Sequence, residues 1–433
     1  MKLYSTNNYD NVVDLKEAVL NAFPKDRGLY LPTEINSLPK DFFNNISNYS
    51  FQEICKIVTK HLLAGSLTDK EIEGLIDKTF TFPVVLKLID QNISCLELFH
   101  GPTMAFKDFG ARFMANLMSL FLSKSDKKTT ILVATSGDTG GAVASGFYDK
   151  DNIDVIVLYP SGKVSPLQEK QLTSWGKNIK AIEVEGVFDD CQRMVKSAFI
   201  DPELKSKYNF SSANSINIAR LIPQSFYYFE AYKQSEKSGQ KLIFSVPSGN
   251  FGNLTAGVLA KRLGLPIEGF IAAVNANKTF HDYLQTGVYT AKPSVSTLSN
   301  AMDVGDPSNF ERLRELYCST WNLIKKDIIS YHYDDDQTRK AIAMTYNNCG
   351  YISDPHGALA YLACLEHQKT HSDSFQYIFL ETAHPAKFLE TVQPLIDSDL
   401  LLPDQLAKFS NAKKESTSCS TDYVEFKRIL LDM

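Results

Sequence analysis

A repeated alternation of short apolar strands and helical segments most strongly constrains how this 433-residue chain can fold. Runs rich in β-branched and aromatic residues are typical of strands, and they cover residues 129–135, 153–160, 179–186, 241–247, 267–275 and 374–385. Helical segments follow the first four runs. Apolar strands that alternate with helices predict doubly wound, mostly parallel sheets, and two sets of strands indicate two such α/β domains.

The beginning of the chain has a different rhythm and is predicted to be rich in helices. Apolar residues recur at helical spacing within 11–23, and Thr68 with Glu71 forms the capping-box pattern of a helix start. The polar segment 411–421 is predicted to be a solvated loop. We therefore predict three domains: a helix-rich N-terminal domain over 1–92, a smaller mobile α/β domain over 93–220, and a larger α/β domain with C-terminal helices over 221–433.

Composition and charge exclude several classes of partner. The formal net charge is −5 and the isoelectric point is near 6.0, so the chain lacks the basic excess typical of nucleic-acid binding. The sequence contains no run of about 18 apolar residues that could span a membrane, and its start does not resemble a signal peptide. Seven scattered cysteines without a C-x-x-C pair argue against a disulfide framework and a structural zinc site. We expect a cytoplasmic monomer or homodimer that uses no metal.

A glycine-containing loop, PSGNFGN, joins the strand at 241–247 to the next predicted helix. Ser248, Gly249 and Gly252 are small enough to let backbone N–H groups converge. Those groups, together with the positive end of the helix dipole, form a seat for a phosphate group. The loop matches neither the Walker pattern nor G-x-G-x-x-G, so a nucleotide is not favoured. A plain turn between strand and helix is the alternative.

A second loop of the same kind, ATSGDTGGA, follows the strand at 129–135. Ser136, Asp138 and Thr139 add polar groups that could hold a carboxylate or a ring substituent. Ligands of open α/β sheets bind at the carboxyl ends of the strands, so two such loops in one chain predict a binding site there. A tight turn without a ligand is again the alternative.

Polar side chains in the segment 214–220 suit a second phosphate group. If Asn214 caps a helix, Asn217 and Arg220 follow along one face of that helix. The hydroxyl of Ser215 lies beside them, and an amide, a hydroxyl and a guanidinium near a helix N-terminus are suited to phosphate. The alternative is a capped helix with an exposed arginine.

Lys107 is the residue that discriminates among these interpretations. Most lysines near a helix start are solvated, but the neighbours of this one are apolar, namely Met104, Ala105, Phe106 and Phe109. Removal from water lowers the pKa of an amine and makes it a nucleophile. An amine of this kind together with a phosphate seat predicts pyridoxal 5'-phosphate, whose aldehyde forms a Schiff base with lysine.

Short motifs spread over nearly the whole chain carry a family resemblance. They are DRGLYLP, HGPTMAFKDF, TSGDTGGA, GVFDDCQRMVK, NSINIARLIPQ, PSGNFGN, VGDPSNFERL, SDPHGALA and TAHPAKF. In this order they resemble the threonine synthase family, in its longer subfamily with an additional N-terminal domain. The sequence departs from the family pattern at three positions: Arg27 replaces a second glycine, Asn253 an acid and Gly357 a hydroxyl residue.

The resemblance implies a fold-type-II pyridoxal-phosphate enzyme that converts the small molecule O-phospho-L-homoserine and water to L-threonine and phosphate. Lys107 would bond the cofactor and move protons, Thr382 would face the pyridine nitrogen, and Asp138 would lie near the ring hydroxyl. Arg220 would stabilise the departing phosphate. The cofactor phosphate would be held by Gly249, Asn250, Phe251, Gly252 and Asn253. The substrate would be faced by Ser136, Thr139, Asn214, Ser215 and Arg220.

Several alternatives stay open at this point. A phosphohomoserine lyase that forms 2-oxobutyrate, or a serine or threonine dehydratase, would share Lys107 and the glycine loop. A non-catalytic carrier of the cofactor or a regulatory paralogue would also share them. A nicotinamide-dependent dehydrogenase fits the α/β rhythm, but its fingerprint is absent from the sequence. His356 and His384 are interpreted as structural residues that begin helices.

Overall fold

The computed structural model describes residues 1–123, 128–235, 239–371 and 375–433. Its strands are β1 (Lys2–Ser5), β2 (Asn8–Asp14), β3 (Tyr30–Pro32), β4 (Val85–Asp90), β5 (Ile93–Glu97), β6 (Thr129–Ala134), β7 (Ile153–Pro160), β8 (Ile179–Val184), β9 (Phe210–Ser211), β10 (Lys241–Pro247), β11 (Gly269–Val274), β12 (Ile328–His332), β13 (Phe375–Glu381) and β14 (Thr417–Cys419).

The α-helices are α1 (Leu15–Asn21), α2 (Lys40–Asn44), α3 (Phe51–Leu62), α4 (Asp69–Thr79), α5 (Lys107–Leu122), α6 (Asp138–Phe147), α7 (Pro166–Thr173), α8 (Phe188–Ile200), α9 (Pro202–Lys207), α10 (Ile218–Leu221), α11 (Phe226–Gln234), α12 (Gly252–Arg262), α13 (Thr279–Thr286), α14 (Phe310–Leu316), α15 (Trp321–Asp327), α16 (Asp335–Cys349), α17 (Pro355–Gln368), α18 (Leu389–Val392), α19 (Asp404–Ser410) and α20 (Tyr423–Asp432). Within the described ranges, none of them combines the length and the apolar composition that a membrane span needs.

The N-terminal region contains a small antiparallel sheet of order β2-β1-β3 beside its helices. The predicted helix over 11–23 is partly wrong, because Val12 and Val13 belong to β2. The helix α1 begins only after Asp14, whose side chain caps it by accepting a hydrogen bond from the Glu17 N–H. β-branched valines fit a pleated strand, and here this preference prevails over the helical spacing of the apolar residues.

The capping box predicted from Thr68 and Glu71 is confirmed at the start of α4. Ser50 and Glu53 form a second capping box at the start of α3. Both helices bury their apolar faces, α3 against α11 and α4 against α5. The N-terminal helices therefore pack directly on the helix that begins at Lys107.

A six-stranded sheet of order β12-β11-β10-β13-β5-β4 forms the larger core. Every neighbouring pair in it is parallel except β4 and β5, which form an antiparallel edge. The helix α17 packs across β10, β11 and β13. Ser374, at the start of the last predicted strand, lies outside the described residues, and β13 follows it directly.

A five-stranded, wholly parallel sheet of order β14-β8-β7-β6-β9 forms the second core. The helix α8 packs on β6 and β7, and α20 packs on α8. The prediction of a solvated loop over 411–421 is wrong for β14, which pairs with β8. Cys419 points into the apolar core of this sheet, and a single inward residue among polar neighbours is too weak a signal to predict a strand.

The two parallel sheets with helices packed on them confirm the predicted α/β fold class. The boundaries at 92 and 220 stay a prediction, although strand pairing places β5 in the larger sheet and β14 in the other one. The carboxyl ends of β6 and β10 lead into α6 and α12 through the two glycine loops, where a ligand of such sheets is expected.

Candidate active site

Lys107 is the first residue of α5, and the chain before it is tied to the larger sheet. Ala105 forms a β-bridge with Ala383, and the Phe106 N–H donates to the Thr382 carbonyl at 2.8 Å. The backbone thereby places Lys107 next to Thr382. This contact joins two motifs that are about 275 positions apart in the sequence.

The amine of Lys107 lies in an apolar, partly accessible position. Its Nζ lies 4.3 Å from the centre of the Phe106 ring, and no hydrogen bond or ion pair to it occurs within the described part of the chain. Burial and, to a smaller extent, the charge of Arg220 lower the pKa of Lys107, and Asp138 opposes both, so that the resulting pKa is about 8. The sequence-based expectation of a desolvated amine with a lowered pKa is thus borne out by the geometry.

The loop 248–252 leads directly into α12, and the first backbone N–H groups of a helix have no partner within that helix. Phe251 has a left-handed backbone conformation with φ 61°, and Gly252 begins the helix. A Cβ at Gly249 would come within 2.6 Å of the Met302 Cα, so only glycine fits there. Asn253, where the family has an acid, is buried and donates from Nδ2 to the Pro247 carbonyl at 2.8 Å. The Asn253 side chain therefore ties the first turn of α12 to the end of β10.

The segment 214–220 links the two glycine loops. Asn214 donates from Nδ2 to the Ala134 carbonyl at the end of β6, at 2.9 Å. Ser215 accepts a hydrogen bond from the Nδ2 of Asn250 in the other loop. The prediction that Asn214 caps the helix is wrong: the cap is Asn217, whose side chain accepts from the Ala219 N–H. Asn214 is held instead by the strand end, which a local pattern does not show.

Arg220 is buried, contrary to the alternative of an exposed arginine. Its Nη1 donates to the Ala213 carbonyl, while its Nε has no hydrogen-bond partner among the described residues. Gly110 of α5 makes room for it, because a Cβ at that position would lie 2.7 Å from Nε. Burial lowers the pKa of Arg220 to about 10, well above neutrality, so it stays charged. A buried guanidinium with an unused donor is a seat for an anion.

Asp138, the first residue of α6, is paired with two other buried side chains. Its Oδ1 accepts from Lys387 Nζ at 2.6 Å and from Gln168 Nε2 at 3.0 Å, and all three side chains are buried. Burial by itself raises the pKa of Asp138, but the charge and hydrogen bond of Lys387, the hydrogen bond from Gln168 and the charge of His356 together outweigh burial and hold this pKa below its usual range. Lys387 also donates to the Thr103 carbonyl at 3.1 Å. The sequence analysis missed both partners, since their spacing in the chain gives no sign of contact.

The remaining predicted residues of this loop flank Asp138. Ser136 and Thr139 are partly exposed, and the hydroxyl of Thr135 holds the loop by accepting from the N–H groups of Gly137 and Gly140 at 2.9 and 2.8 Å. Thr135 was not predicted, although a hydroxyl residue before a glycine turn is a recognisable signal.

Thr382 lies above a buried network of polar groups. Its Oγ1 donates to Asp354 Oδ2 at 3.5 Å, and Asp354 caps α17. The other oxygen of Asp354 contacts His356 Nδ1 at 2.6 Å, and His356 Nε2 accepts from the Ala301 N–H. His356 lies in the first turn of α17, in line with its interpretation as a helix-start residue, and the cap Asp354 hydrogen-bonds both His356 and Thr382.

A glutamate that the sequence analysis did not single out completes this network. Glu381 is fully buried, and one of its oxygens accepts from the Asp354 N–H. Burial raises the pKa of Glu381 well above its usual range, and Asp354 raises it further. A Cβ at Gly357 would lie 1.7 Å from Glu381 Oε2, so the glycine that departs from the family pattern is the one that admits this carboxyl group.

These groups fit pyridoxal phosphate. Among the described residues, the amine of Lys107 and the Nε of Arg220 have no hydrogen-bond partner, and the loop 248–252 carries no charged side chain and leads into the N-terminus of α12. Contacts link most of the predicted site residues into one region: Phe106 joins Lys107 to Thr382, and Ser215 joins 214–220 to Asn250. The individual roles of these residues stay predictions.

Comparison with known families defines the class of protein first. Residues 83–380 match the family of pyridoxal-phosphate dependent enzymes, so the chain is an enzyme of this class and pyridoxal phosphate is its cofactor. Residues 2–80 match the threonine synthase N terminus, and residues 357–430 match the threonine synthase C-terminal family. The chain belongs to the threonine synthase family.

Full-length relatives agree with this assignment. Threonine synthase of Buchnera aphidicola subsp. Schizaphis graminum is 42% identical over 435 residues and that of Escherichia coli 40%, and each comparison covers 100% of both chains. The crystal structure of threonine synthase from Escherichia coli has a TM-score of 0.93 at 39% identity and covers 100% of both chains. A PLP-bound threonine synthase from Brucella melitensis has a TM-score of 0.91 at 33% identity and covers 99% of this chain and 98% of that one.

Proposed function

We propose that this protein is a threonine synthase, which converts O-phospho-L-homoserine and water to L-threonine and phosphate. The observation that carries the proposal is a lysine of lowered pKa in a chain that also has two separate candidate seats for anions, the loop 248–252 and the buried guanidinium of Arg220, whose charge acts on Lys107. A phosphorylated substrate and a phosphorylated cofactor require two such seats at once. The threonine synthase names of the full-length relatives support the same reaction.

The loop 248–252 is proposed to hold the cofactor phosphate. Its backbone N–H groups and the N-terminus of α12 supply donors and a positive dipole end without a formal charge. Asn250 is fixed on both sides, since its Oδ1 accepts from the Ser308 N–H at 2.6 Å and its carbonyl accepts from Asn309 Nδ2 at 3.1 Å. A loop held in this way does not need to reorganise when it binds a phosphate.

Lys107 is proposed to act at its Nζ as the group that bonds the cofactor and moves protons. Bound pyridoxal phosphate supplies an aldehyde that takes up amines and a ring that withdraws electrons from the substrate. With a pKa of about 8, the Lys107 amine both accepts and returns a proton near neutral pH, so it can serve the α and β carbons in turn. Its position at the start of α5 fixes its distance from both loops.

Arg220 is proposed to bind the phosphate of the substrate and to stabilise it as it leaves. Its charge is buried and its Nε is unused, so a dianion that accumulates charge there is stabilised without a competing partner. Asn214, Ser215, Ser136 and Thr139 are proposed to orient the rest of the substrate. Thr382 is proposed to present a neutral hydroxyl to the ring nitrogen, with Asp354 behind it.

The test uses the cofactor-loaded protein and O-phospho-L-homoserine, with inorganic phosphate and the amino-acid product both quantified. We expect equal amounts of phosphate and threonine. Arg220→Gln is expected to reduce turnover by about a hundredfold or more, the usual effect of losing a donor to developing charge. Arg428→Gln, at an exposed arginine, serves as the matched control and should leave turnover unchanged.

The same assay distinguishes the alternatives. Release of phosphate with 2-oxobutyrate in place of threonine would identify a phosphohomoserine lyase. Turnover of serine or threonine that survives Arg220→Gln would identify a dehydratase, which needs no second phosphate seat. The cytoplasmic location and the monomeric or homodimeric state stay predictions.

A further inference from the structure

A second positively charged cavity lies away from Lys107, where α4, α5 and α6 meet. It has a volume of about 300 Å³ and is lined by Lys78, Arg112, Asn116, Ser145, Gly146, Tyr148 and Lys150. Three of these residues are cations, and no carboxylate is among them. The proposed reaction uses none of them.

The cations in this cavity are held in place by the protein. Arg112 donates from Nε to the Thr79 carbonyl at 2.8 Å and from Nη2 to the Lys78 carbonyl at 2.9 Å. Lys150 donates from Nζ to Asn116 Oδ1 at 2.9 Å, and Asn116 in turn donates to the Thr79 hydroxyl. Hydrogen bonds therefore hold both the guanidinium and the ammonium at the lining of this one cavity.

Acidic residues offset these cations only in part. Burial lowers the pKa of Arg112, and the buried Asp108 opposes this shift without reversing it. Asp77 pairs with Lys56 at 2.8 Å, and Asp149 pairs with Lys177 at 2.7 Å. Within the described ranges, Lys78, Arg112 and Lys150 form no ion pair at 4.0 Å or less. Burial lowers the pKa of Lys150, and the charges of Arg112 and Lys78 lower it as well, which shows that the three repel one another. An anion between them would remove that repulsion.

We propose that this cavity is a binding site for a small oxyanion of the phosphate class. The walls offer cationic and neutral donors in the form of a guanidinium, two ammonium groups and the hydroxyls of Ser145 and Tyr148. Oxygen atoms bearing two negative charges match this set better than a carboxylate, which carries only one. The inference does not depend on the reaction proposed above.

The position of the cavity links it to the catalytic helices. Arg112 and Asn116 lie one and two turns along α5 from Lys107, and Ser145 lies at the far end of the helix that Asp138 begins. These two helices approach closely, because a Cβ at Gly146 would lie 3.2 Å from the Ala111 carbonyl carbon. An anion that draws α4 and Lys150 toward Arg112 therefore acts on the element that carries Lys107.

Equilibrium dialysis of the cofactor-loaded protein against labelled inorganic phosphate tests the site, with ionic strength held constant by chloride. The double variant Lys78→Gln/Lys150→Gln is expected to bind one phosphate fewer per chain, or to bind it at least tenfold more weakly, while the active-site phosphate is kept. Lys196→Gln/Lys205→Gln removes the same charge from exposed lysines and should match the native protein.

The single variant Lys78→Gln guards against a folding defect, because Lys78 is exposed and its side chain forms no hydrogen bond or ion pair with the residues that the structure describes. It should weaken binding at the cavity by about threefold. Native stoichiometry and affinity in both variants would overturn the proposal. Failure of threonine formation would bear only on the reaction, since phosphate binding is measured without substrate.

Discussion

The two glycine loops look alike in sequence, yet the structure equips them differently. The loop 134–142 carries its own charge, and that charge is neutralised inside the protein by Lys387 and Gln168. The loop 248–252 carries no charged side chain and is held by neutral hydrogen bonds at Asn250. An internally balanced loop gains little from binding a further anion, whereas an uncharged loop at a helix N-terminus can be stabilised by one. The comparison explains why only the second is suited to a phosphate.

The largest expected effect comes from removing the cation that balances the first loop. Lys387→Met leaves Asp138 buried without its partner, which should lower the free energy of unfolding by about 3–5 kcal/mol. Adding Asp138→Asn should restore most of this loss. Denaturant unfolding of the native protein, the single variant and the double variant measures this loss and its recovery.

The exposed pair Lys177–Asp149 supplies the control for this experiment. Lys177→Met should change the free energy of unfolding by less than about 1 kcal/mol, because water screens that pair. If Lys387→Met were no more harmful than Lys177→Met, the first loop would not depend on internal charge balance.

A glycine from each loop region gives the second test. In Gly249→Ala the new Cβ meets the Met302 backbone at 2.6 Å, so overpacking should cost about 1–3 kcal/mol and weaken cofactor binding. In Gly141→Ala the nearest atom is 3.4 Å away, and a helical alanine should be neutral or stabilising by up to about 1 kcal/mol. Thermal unfolding measures the change in stability of both variants, and cofactor titration measures the change in cofactor binding. Equal effects would mean that the two loops are not packed differently.

The charges beside the two loops act on Lys107 in opposite directions, which predicts a pH effect. The amine of Lys107 reacts with aldehydes only when unprotonated, so cofactor uptake by the cofactor-free protein should rise with pH and level off above about 8. Arg220→Gln removes a like charge, raises this pKa and moves the rise to higher pH. Asp138→Asn removes an opposite charge and moves it to lower pH.

Stopped-flow absorbance measures this uptake at a series of pH values. One unit of pKa change corresponds to about a tenfold change in rate below the midpoint. Arg428→Gln should leave the profile unchanged. Shifts of the same sign in Arg220→Gln and Asp138→Asn would contradict the predicted charge arrangement.

The smallest effect is expected at the link between the loops. Ser215→Ala removes the hydroxyl that accepts from Asn250, at a cost of about 1 kcal/mol, and should weaken cofactor binding severalfold. Ser206→Ala, an exposed serine in α9, is the control. The rate of cofactor dissociation, followed by absorbance, measures this weakening. An unchanged dissociation rate would mean that Asn250 holds its position without Ser215.

Local patterns predicted the strands, the loops and the desolvated lysine because each depends on neighbours in sequence. The periodicity located β7 and β10 at the bounds that the structure has, and the apolar flanks of Lys107 predicted its lowered pKa. The sequence could not predict that Lys387 reaches Asp138 or that Asn214 binds the end of β6. The contact of Asn214 depends on the pairing of β9 with β6, and that of Lys387 on how residues far apart in the chain meet, and no local spacing records either.

Edge elements were the other limit of prediction. β2, with seven residues, and β14, with three, are mostly exposed and each bury a single residue, so their pairing partners decide their conformation. Val12 fits a helix as well as a strand until β1 lies beside it. Where tertiary pairing decides between two conformations, the sequence read alone favours the wrong one as readily as the right one.

The contact between Gly357 and Glu381 imposes an order on how this lineage can change. A side chain at 357 would occupy the space of the carboxyl group, so a mutation there is tolerated only once residue 381 has become smaller. If residue 357 gained a side chain first, the intermediate would have that side chain and the Glu381 carboxyl group in the same space. Homologous chains should therefore show a large residue at one of these positions or at the other, and an ancestor with both filled should not have existed.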